Sequence, residues 1–553
     1  MSQKNYIPKE ATQQIEFLKK YPEFDGRGIK IAVVDSDVAD MNLPGLQKTS
    51  IGLPKIIDVL PRKRITIDTS TVVGAKDKTF ITGLITQVAA AYFPDDPEGS
   101  GLAPGAQIIS LHWGNFEEVL YKCIELKVDI VNFSFAFPLR TELDSTTYAK
   151  IKEIVKIMIE EHGIIIVQGA GNTGPFHFLY DEYSLLSDQI FFVGSFFAAE
   201  VKDKFESDEN MNNQVHNFSS RGPLPSGARG IDFVAPGSAI TDLPKWYPKK
   251  NDRNQGTSLA TPNIAGSIAC LLSALKANSI KYTPAMIKMA LANTAFLPSG
   301  ADKLAYGHGI IQINDAFEFI KTSINILPMK SSTPIFLNDP NQKGILHIQN
   351  GIKNNNNLST INYTVNIDSA DDIKWILKCF PDDNNFVRLS TTLTNDPFNV
   401  KIDTNILEEG SLNYAEIHAF NYLIPSIGPL FYLPITVICP AFPNYFEKEM
   451  KLEPGPPKFL FFKRPSEFQQ EFYIKITSLE GQSYAKIIME YYQKNNDVRG
   501  RDILKFNAKK KTKTILLKIE EGEEELIQIC FHHTHLNPVK FKININCQKS
   551  CIS

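Results

Sequence analysis

Across 553 residues, 58 lysines and arginines face 61 aspartates and glutamates, a net charge of −3. That balance gives no electrostatic case for nucleic acid or an anionic membrane as partner, and the length allows two or three domains around a large core. The start, MSQKNYIPKEATQQIEF, has no apolar signal core, no later run reads as long enough to span a bilayer, and seven scattered cysteines form no paired framework, so a reducing cytoplasm is expected.

Up to residue 325 the predicted elements alternate in type. Buried apolar runs (IKIAVV, QIISLHW, DIVNFSF, IIIVQG, IFFVGS) are interleaved with helical stretches such as SLATPNIAGSIACLLSALKAN. This pattern predicts a parallel sheet with helices on both faces, whose ligand groove lies at the carboxyl ends of the strands. Three polar residues belong there: Asp35 ending GRGIKIAVVDSD, Asn172 in the Gly-rich turn of GIIIVQGAGNTGP, and Ser258 in GTSLATPNIAG at the mouth of a helix. An acid there can orient an imidazole, an amide can donate into an oxyanion hole, and a hydroxyl can attack. No histidine occurs between Met1 and Leu111.

From residue 326 the character changes. GILHIQN, STINYTVNID, IKWILKCF, AEIHAFN and FYLPITVIC alternate apolar and polar positions and predict a β-sandwich over 326–442. The Pro-rich AFPNYFEKEMKLEPGPPKF is expected as a separator. FYIKITS, AKIIMEYYQ, TILLKIE, LIQICF and KFKININC then predict a second β-rich domain over 443–553. In FHHTH, His533 and His535 share a strand face while His532 faces away. Two imidazoles without a third ligand make a poor metal site, so no metal or other cofactor is expected.

The strings around Asp35, Asn172 and Ser258, with SSRGP at 219–223 and APG at 235–237 in the same order, resemble the subtilisin-like serine peptidases, family S8. That resemblance implies a subtilisin-like α/β domain over 1–325, followed by two mainly antiparallel β regions. AAAYFPDDPEGSGLAPGAQI (89–108), LPGLQ followed by PKIIDV, LSALKANSIKYT and YGHGIIQINDA (306–316) resemble the tripeptidyl peptidase II branch, large cytosolic subtilases that remove tripeptides from peptide amino termini. GPLFYLPITV (428–437) is similar to that branch's first accessory β-region.

By this resemblance Asp35 and Ser258 are the remnant of a catalytic triad and Asn172 is the oxyanion donor. The base should lie in an HGTH string before the AAAYFP run. Counting without gaps puts Ile81 there, and aligning DKTFITG puts Asp77 there; neither is an imidazole. The branch also holds the substrate's protonated amine with glutamates through charge-assisted hydrogen bonds. One should follow a VNYSYG-like string, where VNFSFAF carries Phe137, and the other falls in a stretch that is shortened here to WGNFEEVLYK. Glu117 or Glu118 in that stretch is the candidate substitute for the amine anchor, with the plainer reading of a solvated helix start. The branch's long insertion between Asp and His and its large carboxyl-terminal helical part have no counterpart in the sequence, so its spindle assembly is not expected.

Loss of the imidazole from such a triad costs on the order of a millionfold in turnover, roughly 8 kcal/mol of transition-state stabilisation. The expected function is therefore that of a pseudopeptidase binding a peptide or protein ligand in its groove, as a homo-oligomer or beside an active paralogue. The alternative is a weak serine peptidase using Ser258 with a recruited base. His177 and His216 are the nearest by motif, with plainer readings as an aromatic-cluster residue and a loop residue. Lys76 and Lys78 are further candidates that read as exposed.

Overall fold

The computed structural model describes residues 4–61, 80–135, 144–177, 187–205, 214–244, 250–325, 333–336, 342–349, 360–368, 373–395, 397–441, 445–453, 456–463, 470–479, 485–493, 498–506, 511–519, 526–532 and 538–549. The first part is organised by one sheet. Strands β1 (Lys30–Asp35), β2 (Ile56–Leu60), β3 (Gln107–His112), β4 (Ile130–Phe133), β5 (Ile165–Gly169), β6 (Phe191–Phe197), β7 (Gln214–Val215) and β8 (Phe233–Pro236) belong to it. They run in the order β2-β3-β1-β4-β5-β6-β7, with β8 also paired to β6. Every pairing is parallel except that of β6 with β7.

The chain folds this way because each central strand is apolar on both sides. Ile31 and Val33 enter one buried cluster, and Ala32 and Val34 enter the other, as the period of two requires. Nine helices are described: α1 (Gln14–Lys20), α2 (Phe80–Ala90), α3 (Phe116–Glu125), α4 (Ser145–Glu160), α5 (Lys202–Phe205), α6 (Thr257–Ala277), α7 (Pro284–Thr294), α8 (Lys303–Tyr306) and α9 (Ile313–Ser323). On one face α2, α6, α7 and α9 pack Ile85, Ile264, Ile287 and Phe317 against Val33 and Val167. On the other, α3 and α4 pack Val119 and Val155 against Val34 and Val131. A hairpin, β9 (Ser238–Asp242) and β10 (Asn251–Gln255), leads into α6.

α6 departs from the expectation that no run is long enough to span a bilayer. Its 21 residues are long and apolar enough to cross a membrane by composition, yet 94% of the apolar window is buried inside the protein. A helix that is apolar all round is what a central core position requires.

The first β region is a sandwich. One sheet joins Thr333–Phe336, Thr360–Asp368, Phe398–Asp403 and Val387–Leu389; the other joins Ile345–Ile348, Phe431–Cys439, Ser411–Asn421, Trp375–Phe380 and Leu393–Thr394. Pairing is antiparallel except between Ile345–Ile348 and Phe431–Cys439. The second region has two four-stranded antiparallel sheets closing on Leu452, Ile474, Ile529 and Phe541. Its first strand, Tyr445–Leu452, lies inside the stretch expected to be a separator and pairs with Val539–Lys549. Phe446, Met450 and Leu452 are buried at alternate positions among charged neighbours, so the period-two pattern outweighs the flanking prolines.

The sandwich is held to the sheet domain by a buried carboxylate. Glu416, with no exposed surface, accepts from Arg229 Nη1 at 2.7 Å, Lys303 Nζ at 2.6 Å, Tyr414 OH at 2.6 Å and His418 Nε2 at 2.9 Å. Burial alone would raise its pKa, but Arg229, His418 and Lys303 hold it well below the ordinary carboxylate range. Beside it Gly227, at φ 81°, and Gly344 pass so closely that a Cβ on either would fall within 2.2 Å of the other's carbonyl oxygen.

Candidate active site

The carboxyl ends of β1, β4 and β5 and the amino end of α6 bring Asp35, Asn172 and Ser258 to one side of the sheet domain. Ser258 is half-buried in the first turn of α6. Pro262 lies four residues on and has no N–H, so the Ser258 carbonyl lacks the donor that a helix would normally supply. Ser134, just after β4, fills that vacancy, its Oγ donating at 3.0 Å. Asn132 Nδ2 in turn donates to Ser134 Oγ at 2.9 Å.

Asn172 also has a structural task. The residue before α6 is Gly256, which has no capping side chain. Asn172 Oδ1 accepts instead from the Thr257 N–H at 2.9 Å and from Thr257 Oγ1 at 3.0 Å, serving as a cap from a distant loop. With its oxygen held in this way, the amide nitrogen faces the nucleophile side. A Cβ placed on Gly256 would be 2.9 Å from Ser258 Oγ and 3.5 Å from Asn172 Nδ2. The space a tetrahedral oxyanion needs is thus kept open between hydroxyl and amide by the absence of a side chain at 256.

Asp35 is 6% exposed. Its Oδ1 accepts from the backbone N–H of Ser36 and, at 3.0 Å, from Ser36 Oγ. Burial raises its pKa against those two bonds, and Asp37 adds to the rise. Among the described residues no imidazole hydrogen-bonds to Asp35, and Ser258 Oγ has no hydrogen-bond partner. Asp77, Lys76, Lys78 and Phe137 lie outside the described residues, and Ile81 is described only as a backbone position in the first turn of α2.

Both histidines considered as replacement bases are occupied elsewhere. His177 is buried against Phe459 and Phe461 of the second β region. Its Nδ1 contacts the Gly222 carbonyl, and its backbone N–H donates to Gln528 Oε1 at 3.0 Å. His216 is 3% exposed, with Nδ1 at 2.8 Å from Ser195 Oγ and Nε2 at 3.3 Å from Ser238 Oγ. Burial pushes the pKa of each down to about 4.

The glutamates offered for amine binding serve the start of α3. Glu117 pairs with Lys150 at 2.6 Å, and Glu118 exchanges bonds with Asn115, its N–H reaching Oδ1 at 3.3 Å and its Oε2 accepting from Nδ2 at 3.2 Å. Asn115 is thus the side-chain cap of α3. His532 is buried with Nδ1 at 3.4 Å from Asn217 Nδ2, while His533 and His535 lie outside the described residues. Among the described residues no three His, Cys, Asp or Glu side chains form a metal cluster.

Two residues at the site went unnoticed in the sequence. Ser134 is one, and Pro262 was its signal. The other is His112, the sheet-register partner of Asp35 at the end of β3, whose Nδ1 accepts from the Gly114 N–H at 3.0 Å. It follows directly on the histidine-free stretch, and the strand QIISLH already carried it to the level of Asp35.

The subtilase family profile matches residues 26–309, which contain all three site residues. The chain belongs to the subtilase family. A second profile, the first Ig-like domain of tripeptidyl-peptidase II, matches residues 336–438 of this subtilase. Among curated relatives, tripeptidyl-peptidase 2 of Caenorhabditis elegans is 29% identical over 390 residues, covering 64% of this chain and 28% of that protein. The Oryza sativa tripeptidyl-peptidase 2 is 27% identical over 489 residues, covering 77% and 35%. The subtilase chain therefore spans about a third or less of the length of these relatives. A crystal structure of tripeptidyl peptidase 2 superposes with a TM-score of 0.74 at 17% identity, covering 97% of this chain and 58% of that one. The shared fold thus extends through both β regions.

Proposed function

We propose that this subtilase is a catalytically impaired relative of tripeptidyl peptidase II that binds a peptide or protein segment in the groove above Asp35, Asn172 and Ser258. The observation that carries the reading is the state of the nucleophile. Ser258 Oγ has no hydrogen-bond partner among the described residues, and the buried Asp35 carboxylate takes its bonds from Ser36. A serine hydroxyl becomes nucleophilic only when an adjacent base accepts its proton. Retention of Asn172 has a structural reason, since its Oδ1 caps the start of α6. Loss of the amine-binding glutamate position at Phe137 points the same way, because a groove without that anchor no longer selects free amino termini. In this reading the protein is cytoplasmic and works as a homo-oligomer or in association with an active paralogue.

The test is binding without turnover. Fluorescent decapeptides with free and with acetylated amino termini are titrated against the full chain, and each sample is then checked for cleavage by mass spectrometry. The expected result is saturable binding of intact peptide that does not distinguish the two termini. Cleavage that disappears in Ser258→Ala would overturn the proposal.

A further inference from the structure

Where the sheet domain meets the sandwich lies a cavity of about 220 Å³, away from Asp35, Asn172 and Ser258. Phe192 of β6, Met289 and Ala292 of α7, and Phe431 and Tyr432 of the sandwich strand Phe431–Cys439 supply its apolar walls. An apolar cavity of about 150 Å³ accepts benzene, so this one has room for a larger ring system.

Charge in the wall is already neutralised. Lys288 Nζ lies 2.8 Å from Asp232 Oδ2 and donates at 2.8 Å to each of the carbonyls of Asp188 and Ile190, which uses its three hydrogens. Lys343 pairs with Asp188 at 2.9 Å, and Arg229 with Glu416 at 2.7 Å. Among the described residues an ionised ligand would find no spare countercharge, and burying it there would be costly. Two of these cations already lie over protein rings as cation–π pairs, Arg229 at 5.9 Å from the Tyr432 ring centroid and Lys288 at 5.7 Å from that of Phe191.

One wall residue offers a directional contact. His308 lines the cavity, half-buried, with its ring held edge-on to Tyr432 at 4.5 Å and tilted on Phe233 at 5.6 Å. Its backbone N–H bonds to the Asp232 carbonyl, but its ring nitrogens have no hydrogen-bond partner among the described residues. Burial and the neighbouring Arg229 hold its pKa well below the ordinary value, so the ring is neutral and presents one donor and one acceptor.

We propose that this junction cavity is a binding site for a small uncharged aromatic molecule bearing one hydrogen-bonding group, of the size of indole or a cresol, with His308 as the polar contact. The site is independent of the peptide groove and of whether Ser258 is active.

Indole, p-cresol and toluene are titrated against the full chain with the methionine methyl groups isotopically labelled, following the Met289 signal. Indole and p-cresol are expected to shift it and to bind roughly fivefold more tightly than toluene, the worth of one net neutral hydrogen bond. His308→Phe should remove that advantage, and Ala292→Phe should fill the space and abolish binding of all three. No shift of Met289 at millimolar indole in the wild-type protein overturns the proposal, whatever the folding of the variants. So does equal binding of indole and toluene, or undiminished binding by a folded Ala292→Phe protein.

Discussion

Ser134 Oγ donates a 3.0 Å hydrogen bond to the carbonyl oxygen of Ser258, 124 residues away. Pro262 makes the bond necessary, because it removes the intrahelical donor from that carbonyl. Ser134→Ala should therefore destabilise the protein by about 1–3 kcal/mol, the cost of an unmade buried bond. In a Pro262→Ala background, where a backbone N–H is restored, the same change should cost less. Denaturant unfolding of the four proteins gives the cycle, and equal costs in both backgrounds would refute the assignment.

Asp35 is a buried acid whose pKa burial has raised, so its folded value lies above its unfolded one. Between those two values the folded state binds more protons than the unfolded state, and stability from this residue falls as pH rises. Asp35→Asn keeps an oxygen for Ser36 and removes the charge. It should raise stability at pH 7, with the gain fading as pH drops towards 3.8, the ordinary value of the group. Melting temperatures of both proteins across pH 3.5–7.5 check this; a loss of stability at pH 7 would count against it.

His177 and His216 behave in the opposite sense. Their folded pKa values are pushed down to about 4 from 6.5, so below 6.5 the unfolded state binds the extra protons. The stabilisation is complete above pH 6.5 and is lost as pH falls towards 4, on the order of 3 kcal/mol for each imidazole. His216→Gln should flatten the acid limb of the stability profile by about one proton, read from urea unfolding at successive pH values.

Removing the Glu416 carboxylate leaves Arg229 buried without its countercharge. Glu416→Ala should cost about 3–5 kcal/mol and weaken the junction before either domain. Calorimetry is expected to show the single transition splitting, with the sandwich melting separately. An unchanged melting profile would mean that the four bonds to Glu416 add little.

Much of this was legible in the sequence because strands buried on both faces are apolar at every position, as IAVV and IIIVQ are. Asp35, Asn172 and Ser258 were legible because each follows such a run or opens an apolar helix. Tyr445–Leu452 was missed because Lys448 interrupts its apolar alternation and prolines flank it. The roles of Ser134, His216 and Glu416 depend on partners 124, 21 and 187 residues away, and no local pattern announces such contacts. His112 was missed for a different reason, since its importance lies in the sheet register that sets it beside Asp35.

The proposed function requires that no base activates Ser258. Labelling of the purified full chain with a fluorophosphonate is the test, alongside Ser258→Ala, His112→Ala and Ile81→His proteins. No Ser258-dependent labelling of the folded wild-type chain is expected. Labelling that is present in the wild type and lost in Ser258→Ala would contradict it, and further loss in His112→Ala would name the imidazole beside Asp35 as the base.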